Sequence, residues 1–216
     1  MLGKFIVFEG IDGAGKTTQL DLLGRELENR GYPVVYTREP GGTRVGELIR
    51  EILLNPLYGE LAPRAEAFLY AAARAQLVAQ VIIPALEAGK IVLCDRFVDS
   101  SLAYQGFGRG MDILMLEQIN RPAIAGLVPD LVLLLDFCCD DAIDRLSRSG
   151  RGADRIEQEQ QEFYRRVRLG YLSLAGREPG RYNIIDANRP VDLVLCDILK
   201  AVGEVLNEVT ERNNRA

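Results

Sequence analysis

Five short apolar runs alternate with longer segments of helical periodicity along this chain of 216 residues. Each run is four or five residues long, as in strands that are buried on both faces of a sheet. The runs lie at Phe5–Phe8, Val34–Thr37, Ile91–Cys94, Leu131–Leu135 and Tyr182–Ile185. Helices are predicted at Thr17–Arg30, Gly46–Leu54, Ala62–Ala88, Met111–Ala125, Asp141–Leu146, Glu157–Ala175 and Val191–Val209. Because strands alternate with helices, the pattern predicts an α/β fold in which a five-stranded parallel sheet is flanked by helices.

Composition and charge are those of a soluble globular protein, with 48% hydrophobic and 26% charged residues. The net charge of −5 argues against a nucleic acid or a membrane surface as partner, since such binders usually carry an excess of basic residues. We find no targeting peptide at the N-terminus and no apolar run near the roughly 20 residues that span a bilayer, so we expect a cytoplasmic location. No repeat or linker divides residues 1–216, which are expected to form one domain.

Two residue types limit the possible chemistry. The chain has no histidine, which excludes a histidine general base and a histidine-bound zinc ion. Its four cysteines show no C-x-x-C spacing and are expected to be reduced thiols. They are Cys94, Cys138, Cys139 and Cys196.

Residues 10–17 read G-I-D-G-A-G-K-T and have the G-x-x-x-x-G-K-[ST] spacing of a phosphate-binding loop. The loop lies between a predicted strand and a predicted helix, as the motif requires. Its glycines let backbone N–H groups approach phosphate oxygens, Lys16 supplies charge to the β- and γ-phosphates, and the Thr17 hydroxyl can ligate Mg²⁺. The predicted ATP-binding residues are Gly10, Ile11, Asp12, Gly13, Ala14, Gly15, Lys16, Thr17 and Thr18.

Two further segments carry groups suited to phosphoryl transfer. Asp95 and Arg96 end the third predicted strand, where an acidic residue of a P-loop enzyme holds Mg²⁺ or its waters and an arginine can bridge phosphates. Residues 147–156 combine glycines and arginines and are predicted to form a mobile lid, in which Arg148 and Arg151 are the candidate catalytic residues. Arg155 also belongs to this segment, although it can instead pair with Asp154 or Glu159.

The arginine content also bears on the acceptor of the phosphoryl group. A hydroxyl acceptor usually needs a carboxylate base, whereas a monophosphate is already ionised, with a second pKa near ~6. A chain without histidine and with arginines near strand ends therefore favours a nucleotide kinase over a sugar or protein kinase.

Six motifs follow one another along the chain: F-E-G-I-D-G-A-G-K-T-T at 8–18, T-R-E-P-G-G-T at 37–43, Y-A-A-A-R at 70–74, D-R-F-V-D-S-S-L-A-Y-Q-G at 95–106, P-D-L-V-L-L-L-D at 129–136 and D-R-I-E at 154–157. Together they resemble the motifs of the thymidylate kinases. The resemblance covers nearly the whole chain. It implies a three-layer P-loop nucleoside-monophosphate kinase fold, a homodimer, and ATP- and Mg²⁺-dependent phosphorylation of dTMP to dTDP.

The resemblance also implies roles for individual residues around dTMP. Tyr70 would stack on thymine, and Arg74 would reach the base O4. The remaining implied contacts are Ser101 and Gln105 near the base and deoxyribose, Tyr104 against the 2′ position, Asp12 and Glu39 near the 3′-OH and acceptor phosphate, Arg50 and Arg96 on that phosphate, and Glu157 near the sugar and metal. Some relatives carry an arginine where this chain has Gly13, and those without it place the catalytic arginines in the lid.

Three alternatives stay open at this point. A kinase for cytidylate or guanylate would not use the thymine-facing set of Tyr70, Arg74 and Gln105. A GTPase switch should carry an N-K-x-D motif, which this sequence lacks. An ATP-binding protein without catalysis would be expected to have lost Lys16, Arg96 or the lid arginines.

Overall fold

The sheet of this protein consists of five parallel strands in the order β2-β3-β1-β4-β5. The computed structural model describes residues 3–139, 141–142, 145 and 154–213, with side chains as far as residue 206. The strands are β1 (Lys4–Glu9), β2 (Val34–Arg38), β3 (Ile91–Asp95), β4 (Leu131–Asp136) and β5 (Tyr182–Asp186). The predicted α/β class and all five predicted strands are confirmed, each within a residue or two of its expected bounds.

Helices cover the sheet on both sides. They are α1 (Lys16–Asn29), α2 (Arg44–Leu54), α3 (Pro63–Leu77), α4 (Ile83–Glu87), α5 (Val98–Ser101), α6 (Ile113–Ile124), α7 (Gln161–Arg177) and α8 (Val191–Asn213). A π-helical stretch, Val78–Ile82, joins α3 to α4, so the predicted helix over 62–88 is interrupted. Half of the predicted helix Asp141–Leu146 falls outside the described residues, and residues 141, 142 and 145 are helical. A second π-helical stretch, Leu102–Gly108, continues α5, and the sequence did not predict this helical segment.

The register of the central strands sets the position of the site. Phe8 of β1 pairs with Asp95 of β3 and with Leu133 of β4, so the three strands end at the same edge of the sheet. The chain leaves β1 to form the loop at 10–15, and α1 begins where Gly15 adopts a left-handed conformation with φ of 87°. In open parallel sheets, ligands bind at this edge, where neighbouring connections diverge.

The helical stretch Pro63–Glu87 is long and apolar enough to cross a bilayer, contrary to the expectation from the sequence. It nevertheless contains Glu66 and Arg74, which are buried in ion pairs inside the fold. Its first part packs against α2 and α6. Its apolar character is therefore explained by its packing in one helical layer of the three-layer fold. No disulfide joins the four cysteines, all of which lie within the described residues, in agreement with the reduced thiols expected from the sequence.

Candidate active site

The phosphate-binding loop is shaped by backbone conformations that favour glycine. Gly10 and Gly13 have φ values of 137° and 82°. A Cβ atom on Gly10 would lie 2.5 Å from the Leu135 carbonyl oxygen, and one on Gly13 would lie 2.8 Å from that of Ala142. An arginine at position 13 would therefore need the backbone around Ala142 to move. This contact is a physical reason for the absence of a side chain at that place in the loop.

Lys16 and Thr17 begin α1 at the floor of the loop. Lys16 is buried, and its Nζ donates to the Ile11 carbonyl oxygen at 2.9 Å. Burial and the charge of Arg96 lower the pKa of this amine, against the opposing effect of nearby carboxylates such as Asp95. The loop thus keeps the amine of Lys16 at its centre.

Two oxygen groups meet beside the loop. The Thr17 hydroxyl donates to Asp95 Oδ2 at 2.8 Å, which joins the start of α1 to the end of β3. Mg²⁺ binds to hydroxyl and carboxylate oxygens, and it takes one or two protein ligands when phosphates supply others. Within the described part of the chain, there is no cluster of three or more His, Cys, Asp or Glu side chains of the kind that holds a metal without a substrate. The residues present fit a magnesium ion that is shared with a nucleotide.

Arg96 follows β3 in a left-handed conformation, with φ of 73°, and its guanidinium turns back toward the loop. Its Nη2 lies 2.6 Å from Asp12 Oδ1, and its Nη1 donates to the Gly10 carbonyl oxygen. Tyr104 donates its hydroxyl to the other oxygen of Asp12. Burial would raise the pKa of Asp12, but Arg96 and Lys16 outweigh it and lower that pKa to about 2. Asp12 is therefore a carboxylate at neutral pH, and it fixes Arg96 beside the loop.

Glu9 supports the turn that carries Arg96. It is fully buried and accepts hydrogen bonds from the backbone N–H groups of Phe97 and Ser100, and from the hydroxyls of Ser100 and Tyr171. Burial and the charge of Asp99 raise the pKa of Glu9 to about 7. Glu9 belongs to the motif at 8–18, but the sequence predicted no role for it; its place at the end of a buried strand was the available signal.

A cleft lies beyond Arg96 and is called the acceptor cleft below. Its lining includes Asp12, Glu39, Arg50, Tyr70, Arg74, Arg96, Ser101, Tyr104, Gln105 and Asp154. The structure thus brings together most of the residues that the resemblance implied for dTMP. Tyr70, on α3, has its pKa raised by burial, so its hydroxyl stays protonated at neutral pH.

Arg74 is 1% exposed and is held on every side. It forms a buried ion pair with Glu39, and its other hydrogen bonds go to Ser101, Asn120 and the Phe97 carbonyl oxygen. Burial raises the pKa of Glu39 to about 7, against the lowering effect of Arg74. The second oxygen of Glu39, Oε1, is buried with no hydrogen-bond partner among the residues that the structure describes.

A second, more open cleft of about 1830 Å³ lies over the phosphate-binding loop and is called the donor cleft below. Its lining includes Gly13, Gly15, Lys16, Thr17, Thr18, Asp95, Arg145 and Glu157. Asp12, Glu39, Arg50, Arg96 and Asp154 line both clefts. The two clefts therefore share a boundary made of charged side chains.

The predicted lid is only partly within the described residues. Arg148 and Arg151 lie outside them. Arg155 lies inside them, and its ion-pair partner is Glu66 instead of the predicted Asp154 or Glu159. Its Nη2 is 2.5 Å from Glu66 Oε2, and its Nε donates to the Leu53 carbonyl oxygen. It pairs with Glu66 because the chain after residue 153 folds against the ends of α2 and α3, which local sequence does not reveal.

Arg145 lines the donor cleft, and the sequence did not predict this role. Its guanidinium lies 4.0 Å from the centre of the Phe137 ring, and its Nη1 is 3.4 Å from the Gly13 carbonyl oxygen. The sequence placed it inside a predicted helix without a role. Its contact with the loop joins residues 132 positions apart, so local sequence gave no signal for it.

A phosphate-binding loop that adjoins an arginine-rich second cleft, on a five-stranded parallel sheet, defines a P-loop nucleoside-monophosphate kinase. The family model described as thymidylate kinase matches residues 8–198. The chain belongs to the thymidylate kinase family.

Individual relatives agree with the family match. The chain is 71% identical to a thymidylate kinase of Pelotomaculum thermopropionicum over 216 residues, covering 100% of both chains. It is 51% identical to a thymidylate kinase of Desulforudis audaxviator, covering 96% of this chain and 94% of the other. Its fold is similar to the crystal structure of thymidylate kinase from Ehrlichia chaffeensis, with a TM-score of 0.77 and 34% identity, covering 94% of this chain and 100% of the other.

Proposed function

We propose that this chain transfers the γ-phosphoryl group of ATP to dTMP, giving ADP and dTDP, where the two clefts meet. The observation that carries the proposal is the shared boundary of the clefts: Asp12, Arg50 and Arg96 line both of them. A phosphate group on each side of such a boundary would face the same arginines. The family match and the high identity to thymidylate kinases support dTMP as the acceptor.

On the donor side, the loop from Gly10 to Thr18 binds the phosphates of ATP. The amine of Lys16 offsets charge on the β- and γ-phosphates, since it is buried at the centre of the loop. Thr17 and Asp95 would hold Mg²⁺, which supplies charge neutralisation to the phosphates when it is bound. Arg148 and Arg151, which lie outside the described residues, add charge to the transferring group.

On the acceptor side, Arg96 and Arg50 hold the phosphate of dTMP. Both residues line the shared boundary. Arg96 is fixed there by Asp12, and Arg50 donates to the Pro40 carbonyl oxygen at 2.9 Å. Glu39 Oε1 is buried there without a hydrogen-bond partner in the described part of the chain. Because buried polar atoms are normally paired, a sugar hydroxyl is a suitable partner for it. Glu157, in the donor cleft, contributes near the sugar and metal.

The base lies deeper in the acceptor cleft. Tyr70 stacks on thymine, Tyr104 closes the space at the 2′ position, and Ser101 and Gln105 line the base and deoxyribose. Arg74 donates to the base O4. The guanidinium of Arg74 already has a partner at each nitrogen, so one of its bonds to Ser101 must be shared with the base.

The chemical step needs no general base. A phosphate oxygen of dTMP is already ionised at neutral pH and attacks the γ-phosphorus in line. The bond from that phosphorus to the bridging oxygen breaks, and the electron pair leaves with ADP. Positioning by the two clefts and charge from the lysine and arginines account for the rate.

Helices α2, α3 and α6 carry an exposed apolar face that supports a homodimer. Leu48 and Phe68 are 56% and 59% exposed, and the groove between α3 and α6 is lined mainly by apolar side chains such as Met115 and Ile119. An apolar patch of this kind marks a protein interface on a soluble chain. We infer a single-domain, cytoplasmic homodimer that binds neither nucleic acid nor membrane.

The function is tested by measuring ADP release with ATP, Mg²⁺ and a panel of dTMP, dUMP, dCMP, CMP and dGMP. We expect the kcat/KM for dTMP to exceed that for each cytidine and guanosine nucleotide by at least tenfold. Preference for dCMP, CMP or dGMP would assign the chain to another nucleoside-monophosphate kinase activity. ADP release that is independent of every acceptor would contradict kinase function.

A further inference from the structure

A single carboxylate on α3 holds three side chains from other segments. Glu66 is 0% exposed and lies one helical turn before Tyr70. Its Oε1 accepts from Gln105 Nε2 and from Arg109 Nε, each at 2.8 Å, and its Oε2 lies 2.5 Å from Arg155 Nη2. Neither the sequence motifs nor the proposed mechanism gave Glu66 a role.

Glu66 is ionised in the folded chain. Burial alone would raise its pKa, but Arg109, Gln105 and Arg155 outweigh burial and lower that pKa. An ionised carboxylate accepts hydrogen bonds and cannot donate one. Every group that faces Glu66 must therefore present a donor.

This requirement fixes the side-chain amide of Gln105. A glutamine amide has an NH₂ donor at one end and a carbonyl oxygen acceptor at the other. One N–H of this NH₂ donates to Glu66, which fixes the end of the amide that faces the carboxylate. The carbonyl oxygen therefore lies at the opposite end and remains available as an acceptor. Gln105 lines the acceptor cleft beside Tyr70 and Arg74.

We propose that Glu66 is a positioning residue that determines base specificity, because it holds the NH₂ of Gln105 and leaves an acceptor for an N–H group of the base. This inference rests on the proposed function, in which the acceptor cleft holds the base. Thymine carries an N–H donor at N3, whereas cytosine carries an acceptor at the same position. The orientation of Gln105 thus selects thymine, and Glu66 sets that orientation.

The decisive variant is Glu66→Gln in the full chain. Arg155 makes the shortest contact with residue 66, at 2.5 Å, so we expect the new amide to keep its oxygen toward Arg155. Its NH₂ then takes the Oε1 position, which faces Gln105 and Arg109, and Arg109 keeps Glu159 as its acceptor. Gln105 then reverses and presents its own NH₂ to the cleft. We expect the ratio of kcat/KM for dTMP to that for dCMP to fall at least tenfold, mainly through a higher KM for dTMP and a lower KM for dCMP.

Two controls separate this effect from a general disturbance. Glu117→Gln, on the exposed face of α6, should leave the ratio unchanged. Gln105→Met removes the amide, so it should weaken the binding of dTMP without improving the binding of dCMP. Adding Glu66→Gln to this variant should change the ratio of kcat/KM values no further. A further fall in the ratio in that double variant would mean that Glu66 acts by another route, which would overturn the inference.

A measurement on the unaltered chain covers the case in which Glu66→Gln does not fold. In NMR spectra with bound dTMP, the side-chain NH₂ protons of Gln105, assigned by their loss in Gln105→Met, should show nuclear Overhauser effects to Arg109 and Arg155. A scalar coupling across the hydrogen bond from thymine N3–H to the side-chain carbonyl carbon of Gln105 should also appear, and its absence would overturn the inference. No turnover of dTMP by the unaltered chain overturns the proposed function, whereas preference for dTMP that persists in folded Glu66→Gln overturns this inference alone.

Discussion

Replacing Glu9 by glutamine should make the stability of the chain less dependent on pH. Burial and the charge of Asp99 raise the pKa of Glu9 from its ordinary 4.5 to about 7, so the folded state binds a proton more tightly than the unfolded state does. The stabilisation from this proton is fully present below pH 4.5 and is lost as the pH rises through 7. At about 1.4 kcal/mol per pKa unit, this one carboxyl changes the free energy of unfolding by about 3 kcal/mol.

Glutamine is a close mimic of the protonated side chain. Its oxygen can accept from the backbone N–H groups of Phe97 and Ser100, as Glu9 Oε1 does. Its NH₂ can donate to the hydroxyls of Ser100 and Tyr171. These hydroxyls can accept a hydrogen bond as well as donate one, as their contacts with Arg96 and with each other show. We therefore expect Glu9→Gln to fold and to retain at pH 8 the stability that the unaltered chain loses.

The assay is equilibrium unfolding in urea at intervals between pH 5 and pH 8. The unaltered chain should lose about 2.5 kcal/mol more than Glu9→Gln across this range, since part of the effect lies below pH 5. Glu26→Gln is the control, since Glu26 is partly exposed and pairs with Arg30 at the surface. Equal pH dependence in Glu9→Gln and the unaltered chain would refute the assignment of the proton to this residue.

Three further predictions concern the loop and the exposed face. Lys16→Ala should lower kcat at least a hundredfold, because the β- and γ-phosphates lose their buried cation, as measured by ADP release. Gly13→Ala should destabilise the chain by about 1–3 kcal/mol and raise the KM for ATP, since its Cβ would meet the Ala142 carbonyl oxygen at 2.8 Å. Phe68→Glu should yield monomers in sedimentation experiments, because it places a charge on the apolar face of α3.

Each of these variants has a matched control in the chain. Lys90→Ala removes a surface lysine and should leave kcat unchanged. Gly31→Ala shares a left-handed φ, of 84°, but meets open space, so a KM effect equal to that of Gly13→Ala would contradict the steric argument. Leu169→Glu places a charge at an exposed leucine on α7, and dissociation by this variant as readily as by Phe68→Glu would rule out the proposed interface.

The loop and the sheet could be predicted because their signals are local. Residues 5–8 form an uninterrupted apolar run, and the glycines and lysine of residues 10–17 stand at fixed offsets. The helical segment over 98–108 could not be predicted in this way. It contains two glycines and is buried on nearly every side. The backbone N–H groups at its start donate to Glu9, which lies at the end of β1. Tertiary contacts therefore determine the helical conformation of this segment, because its intrinsic helix propensity is weak.

The sequence by itself determined the order of strands and helices, the phosphate-binding loop and the residue types available for phosphoryl transfer. Tertiary structure alone decided which of them meet. Asp12 and Arg96 are 84 positions apart and form an ion pair, and Arg155 contacts Glu66 across 89 positions. The physical reason is that spacing constrains only residues within a turn or a strand. Contacts between distant residues are fixed by strand order, register and burial, and these set both the acceptor cleft and the carboxylate that orients Gln105 within it.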